Sequence, residues 1–397
     1  MVSAKQVWGH ARRIHEFRWR FIWSLVGAVL ILGTTINEKN FIKKIKNFST
    51  LKHEDKMNRE LKIRTASLLP IMGFSGELVI GLGSCLDQDL PQPIWKEIKA
   101  QNPEVFIMLG DNVYGDTHGN INNLKRAYQK QARALKKAEL DFPFMAIWDD
   151  HDYGKNDGGV EFSLKDESQK LFLKFWDIPK GDKRHGNRGL FFEKIIHSKE
   201  GTVQILMLDT RYFLSPLKRT PILKKGSLGR YDPDYDPAKT MLGGDQWKWL
   251  EESLKRDADL RILGTSIQLL AEGHGWECWG NLPLERQRLL NLLAKNSNSN
   301  LIVISGDRHL GGMDSLRTNE GIEFLEITSS SMNKPGSNTN ESGPLRIGEM
   351  YAGENFGLIR IDFQRKRANI ELHGLNKGVV LSKTIHFDKP VLKGTGL

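Results

Sequence analysis

Cysteine is scarce. The 397 residues hold two, Cys85 and Cys278, which can form at most one bridge, so the fold is not a disulfide scaffold and the redox compartment stays open. A surplus of one charge is also missing from most of the chain. Of the 58 Lys+Arg and 48 Asp+Glu behind the net charge of +10, residues 1–72 hold 14 and 5, leaving 44 and 43 for the rest. The pI therefore describes the N-terminal segment. A uniformly basic nucleic-acid-binding surface on the core is not implied, and no nucleic-acid partner is expected. There is no internal repeat, and the composition is that of an ordinary globular chain.

One uncharged apolar stretch stands out, FIWSLVGAVLILGTTIN at residues 21–37. Its 17 residues are at the short limit for spanning a bilayer and are also long enough for a signal-peptide apolar region. Arg12, Arg13, Arg18 and Arg20 precede it and Lys39, Lys43, Lys44 and Lys46 follow, so charge favours membrane insertion without fixing an orientation. A buried core helix is the alternative. The expected organisation is a signal or anchor segment at 1–37, a basic tether at 38–72 and a single catalytic domain at 73–397. The expected address is membrane-anchored or exported.

From about residue 77 short apolar strands alternate with amphipathic helices. Strands are expected at ELVIGLG, EVFIML, PFMAIW, GLFFEKII, VQILML, LRILGTS, LIVIS, EFLEITS, FGLIRIDF, ANIELHG and VVLSKTIHF. Helices fit PIWKEIKAQ, INNLKRAYQKQARALKKAEL, SLKDESQKLFLKFW, DQWKWLEESLKRD and PLERQRLLNLLAK. Trp247, Leu250 and Leu254 share one helix face, and Ser163 with Asp166 has the spacing of a helix-start capping box. The fold class is α/β, a sandwich of sheets with the last strands completing one of them.

Polar residues follow the strands in a consistent place. Cys85 comes after GLGS, Asp111 and Tyr114 after IMLG, Asp149, Asp150 and His151 after AIW, Asp209 and Arg211 after LML, Gln268 after LGTSI, and Asp307 with His309 after VISG. Carboxyl ends of strands form the binding edge of open α/β sheets, so these groups are expected to converge. Converging carboxylates, a thiolate, a phenolate and an imidazole repel or titrate one another unless cations hold them. Aspartate and amide oxygens suit Ca²⁺, Mg²⁺ or Mn²⁺, whereas Cys, Tyr and His beside Asp suit a transition metal such as Fe³⁺.

The ordered set GSC, GDNVY, WDDHD, LDTR and SGDRH resembles the alkaline phosphatase D (PhoD-like) metallophosphatases, a branch of the calcineurin-like phosphoesterases. The resemblance covers about residues 77–375. It implies a two-sheet β-sandwich flanked by helices, a polynuclear centre with Fe³⁺ and Ca²⁺, and hydrolysis of phosphate mono- or diesters; a monomer is expected. Carried over, Cys85, Asp111, Tyr114 and His309 match the iron site. Asp111 would bridge to a second cation held by Asp150, Asp307 and Gln268, with Asp149 and Asp209 in support. The implied reaction is in-line attack on phosphorus by a metal-bound hydroxide, with Arg211 gripping non-bridging oxygens and His151 protonating the leaving group. Asp152, Asn156 and Asp157 would order the following loop. EGHGWECWGN, with His274, Trp276 and Trp279, would line the pocket mouth or pack in the core, and SSSMNKPGSNTNESG is a loop. The alternative function is a non-catalytic phosphate- or phospholipid-binding relative anchored at a membrane.

Overall fold

The computed structural model describes residues 76–221, 228–297, 301–319, 321–337, 341 and 343–387. The apolar stretch 21–37 and the basic tether 38–72 lie outside the described residues, as does part of the loop near residue 340. Among the described residues no helix is long and apolar enough to cross a membrane.

Two sheets face each other. The first carries β1 (Glu77–Gly83), β2 (Val105–Leu109), β3 (Phe144–Ile147), β11 (Asn355–Asp362), β12 (Arg367–Gly374) and β13 (Gly378–His386), in the order β13-β12-β11-β1-β2-β3. The second carries β4 (Phe192–His197), β5 (Thr202–Met207), β6 (Leu260–Gly264), β7 (Leu301–Ser305), β8 (Gly311–Arg317), β9 (Glu323–Ser329) and β10 (Arg346–Tyr351), in the order β10-β8-β9-β7-β6-β5-β4. Helices α1 (Ile94–Ala100), α2 (Asn122–Ala138), α3 (Asp150–Tyr153) and α4 (Lys165–Phe175) follow strands of the first sheet, and α5 (Gly243–Ser253) and α6 (Pro283–Asn296) strands of the second.

The continuous apolar runs are explained by burial on both faces. Along β2, Val105, Ile107 and Leu109 enter the core between the sheets, while Phe106 and Met108 join a second core with Trp95 of α1 and Leu124 of α2. In β7, Ile302 and Ile304 face the inter-sheet core, and Leu301 and Val303 pack with Leu250 of α5 and Leu289 of α6. Alternation of side chains across a strand thus fills three apolar layers from one uninterrupted sequence run. The result is a helix–sheet–sheet–helix sandwich.

Parallel pairing of β1, β2 and β3, and of β5, β6 and β7, aligns the carboxyl ends of these strands. Two strands escaped the sequence pattern. β8 opens on Gly311 and Gly312 and buries Asp314, and β10 has only Met350 buried, so neither shows an apolar period. The expected capping box at Ser163 and Asp166 is absent: Leu164 takes the cap position, and Asp166 instead accepts the Tyr212 hydroxyl at 2.5 Å. A capping box does occur at α3, where Asp149 and Asp152 exchange side-chain to backbone bonds.

Candidate metal centre and active site

The turn after each strand carries the polar residues, and its backbone is unusual. Cys85, Asp111, Asp307 and His309 all have left-handed φ angles, of 57°, 49°, 68° and 55°. None is glycine, so each conformation costs on the order of 1 kcal/mol or more and has to be held by its surroundings. Asp152 supplies part of that hold. It accepts the Asp149 N–H at 2.6 Å, the Asp111 N–H at 3.2 Å and the Asn112 side-chain amide, tying the ends of β2 and β3 together. Burial pushes the Asp152 carboxyl up to about 8.

One cluster joins Cys85, Asp111, Tyr114 and His309. Cys85 Sγ lies 3.6 Å from Asp111 Oδ2, and the Tyr114 hydroxyl lies 3.2 Å from both Asp111 Oδ2 and His309 Nε2. His309 Nδ1 donates to the Lys334 carbonyl at 2.5 Å, which turns Nε2 toward the cluster. Lys334 spans the site from outside, pairing with Asp87 at 2.9 Å and lying 3.4 Å from the centre of the Tyr114 ring.

A second set shares members with the first. Ligand atoms of Asp111, Asp150 and His151 lie within 4.8 Å of one another, as do those of Asp149, Asp150 and Asp307, and of Asp150, Asp157 and Glu277. Asp149 Oδ2, Asp150 Oδ1 and Gln268 Oε1 are buried and have no hydrogen-bond partner. Oxygen acceptors buried this way are the groups a hard cation satisfies, so the residues present fit a polynuclear site. The cation-free electrostatics agree with this. Burial, with neighbouring Asp149 and Asp150, pushes Asp307 up to about 8, and burial raises Asp111 and the Cys85 thiol well above their usual ranges.

These groups open into a pocket of about 440 Å³ lined by Asp111, Asp150, His151, Asp307, Arg308 and His309 at one end. His151 Nδ1 is 2.6 Å from Asp116 Oδ2, and the other Asp116 oxygen accepts the Asn156 N–H at 2.8 Å. Burial alone would lower the imidazole pKa, but Asp150, Asp111 and Asp116 overcome it and raise the value to about 11.

The surroundings of three expected site residues are specific. Arg211 is fully buried, does not line the pocket, and is engaged on both sides: Nε donates to Asp149 Oδ1 at 2.5 Å and one terminal nitrogen to the two Glu277 oxygens at 3.0 and 2.8 Å. It is a counter-ion of the carboxylates, and its second terminal nitrogen is buried without a hydrogen-bond partner. Asp209 accepts the N–H groups of Leu190, Arg211 and Tyr212, and so fixes the turn after β5. Gln268 donates to Thr328 Oγ1 at 2.9 Å and does not line the pocket, leaving only its orphaned oxygen as a candidate donor. The tryptophans of EGHGWECWGN divide: Trp276 lines the pocket and Trp279 is buried, its indole N–H on Thr265.

Sequence reasoning missed Asp116, Glu277 and Arg308, and gave Asp157 only a loop role. Asp116 lies two positions beyond the end of GDNVY, and Arg308 lies inside SGDRH. Glu277 lies inside EGHGWECWGN but follows no strand.

A two-sheet sandwich with acidic, thiol, phenol and imidazole groups gathered at the strand ends has the α/β fold of the metallophosphatases. Residues 192–372 match the sequence model of the PhoD-like phosphatase family, which is the family the chain resembles. It is 23% identical over 237 residues to alkaline phosphatase D of Bacillus subtilis (strain 168), covering 53% of this chain and 37% of that protein. The chain thus spans little more than a third of the length of that curated relative. A solved structure of PhoD superposes with a TM-score of 0.58 at 15% identity, over 79% of this chain and 69% of the other. The purple acid phosphatase PPD1 from yellow lupin seeds has a TM-score of 0.52 at 12% identity, over 81% and 55%. Both likenesses concern the fold.

Proposed function

We propose that the protein is a metal-dependent hydrolase of phosphate esters. The observation that carries this reading is the meeting of two donor sets of different chemistry, Cys85, Asp111, Tyr114 and His309 in one and Asp149, Asp150 and Asp307 in the other, of which Asp111, Asp150, Asp307 and His309 line one pocket. Thiolate, phenolate and imidazole donors suit Fe³⁺, and the all-carboxylate set suits Ca²⁺ or another hard divalent cation. Bound cations would supply Lewis acidity at the phosphoryl oxygens and a water acidified enough to act as nucleophile near neutral pH.

The chain's own residues carry the remaining steps. Asp116 accepts the Nδ1 proton of His151 and so fixes the ring with Nε2 as its second donor. From the pocket wall His151 can give its Nε2 proton to the departing ester oxygen, so that an alcohol and not an alkoxide leaves. Asp149 and Glu277, each held by Arg211, keep their carboxylates oriented while charge in the pocket changes.

The test is hydrolysis of a chromogenic phosphomonoester and the matching diester by the full chain, with metal content measured on the same sample. Turnover by iron- and calcium-loaded protein is the expected result, and the ratio of the two rates ranks the ester classes. A fully loaded but inert protein would overturn the proposal.

A further inference from the structure

With Arg211 engaged by Asp149 and Glu277, the pocket needs another group for the equatorial phosphoryl oxygens. Arg308 stands between two candidate ligands, Asp307 and His309, and all three line the pocket. Consecutive residues of an extended strand point to opposite faces. Here left-handed backbone at Asp307 and His309 breaks the alternation, and the three side chains converge.

Arg308 is only 9% exposed. One terminal nitrogen pairs with Glu341, and the guanidinium carbon lies 5.5 Å from the centre of the Trp276 ring. Its Nε has no hydrogen-bond partner, and neither has Glu341 Oε2. A buried charged N–H without an acceptor is costly, and an anion in the pocket would relieve it. Of the other arginines lining the pocket, Arg230 is exposed, and Arg219 is 58% exposed and already contacts the Tyr231 hydroxyl at 3.2 Å and Asp157 at 3.5 Å. Its attraction for a pocket anion is weakened by solvent.

We infer that Arg308 binds the non-bridging oxygens of the substrate phosphoryl group, with Glu341 and Trp276 positioning its guanidinium. This rests on the phosphate ester reading above. The planar fork suits two phosphoryl oxygens at once, which an ammonium does not. Glu341 holds the arginine and also places a negative charge beside the anion site.

The experiment measures binding of inorganic phosphate to the metal-loaded full chain by calorimetry, beside kcat and KM for p-nitrophenyl phosphate, metal content and thermal midpoint. Arg308→Met is expected to weaken phosphate binding about tenfold or more and to lower kcat/KM about 100-fold at unchanged metal content, with Arg308→Lys in between. Should Arg308→Met fail to fold, Glu341→Gln and Arg308→Lys carry the test. Glu341→Gln is expected to tighten phosphate binding a few-fold by removing a like charge, and the gain should shrink when Arg308→Lys is added. Wild-type phosphate affinity in Arg308→Met or Arg308→Lys at equal metal content, or a Glu341→Gln gain undiminished by Arg308→Lys, would overturn the inference. If wild-type protein turns over while Arg308→Met is unimpaired, only this inference falls. A metal-loaded wild type that neither binds phosphate nor hydrolyses the ester removes the parent reading as well.

Discussion

An arginine two positions past a strand-end aspartate can serve the substrate or the scaffold, and the residue itself does not say which. For Arg211 the partners decide. Removing it would leave Asp149 and Glu277 buried without their counter-ion, so Arg211→Met is expected to cost about 3–5 kcal/mol of stability, measured by urea unfolding. An unchanged midpoint with a raised KM would show that the residue serves the substrate instead. Asp116 acts through His151. Asp116→Asn should lower kcat roughly 10–100-fold on an alkyl phosphate, whose alkoxide needs a proton, and much less on p-nitrophenyl phosphate, whose phenolate leaves unaided. Equal losses on both substrates would argue against leaving-group protonation. Asp116 lies just past GDNVY, but its pairing with His151, 35 residues away, comes from the turn after β3 folding back on the turn after β2.

At the scale of elements, most strands and the five longer helices were legible because double-sided burial demands apolar runs and single-sided burial a helical stripe. β8 and β10 were not, since they are paired by neighbours and not by their own pattern: Gly311 lets Leu372 approach so closely that a Cβ would meet it at 2.5 Å. The four-residue α3 was too short for any periodicity. Its cap is nevertheless central, because Asp152 links Asp149, Asp111 and Asn112. Asp152→Ala should therefore lower stability by roughly 2–4 kcal/mol and reduce the metal retained after gel filtration. Full retention would show that the ligands hold their places without it.

Across the molecule, metal and pH act on the folding equilibrium. Chelation should lower the thermal midpoint reversibly, since ligands that bind only the folded chain contribute about 2.7 kcal/mol at a hundredfold excess over Kd; a midpoint indifferent to chelator would count against a resident metal. His274 gives a pH dependence apart from that centre. Burial, with Arg308 and Arg346 nearby, lowers its pKa to about 3, while its Nδ1 accepts the Trp276 N–H at 3.0 Å. Below pH ~6.5 the unfolded chain takes up this proton and the folded chain does not, so stability falls with pH down to about 3. The loss attributable to His274 at pH 5 is about 2 kcal/mol, read as the difference in acid sensitivity between wild type and His274→Asn. Parallel pH curves would exclude it.

The sequence by itself determined the α/β class, most of the strands, and the strand-end positions of Cys85, Asp111, Tyr114, Asp150, His151, Asp307 and His309, because hydrophobic periodicity and chain order are local properties. Only the tertiary structure decided which charges meet. Arg211 turned inward to Asp149 and Glu277, Asp116 came behind His151, and Arg308 faced the pocket. Those outcomes depend on distances between segments up to 66 residues apart and on left-handed turns that redirect side chains, and Coulomb attraction and burial are functions of distance, not of sequence order.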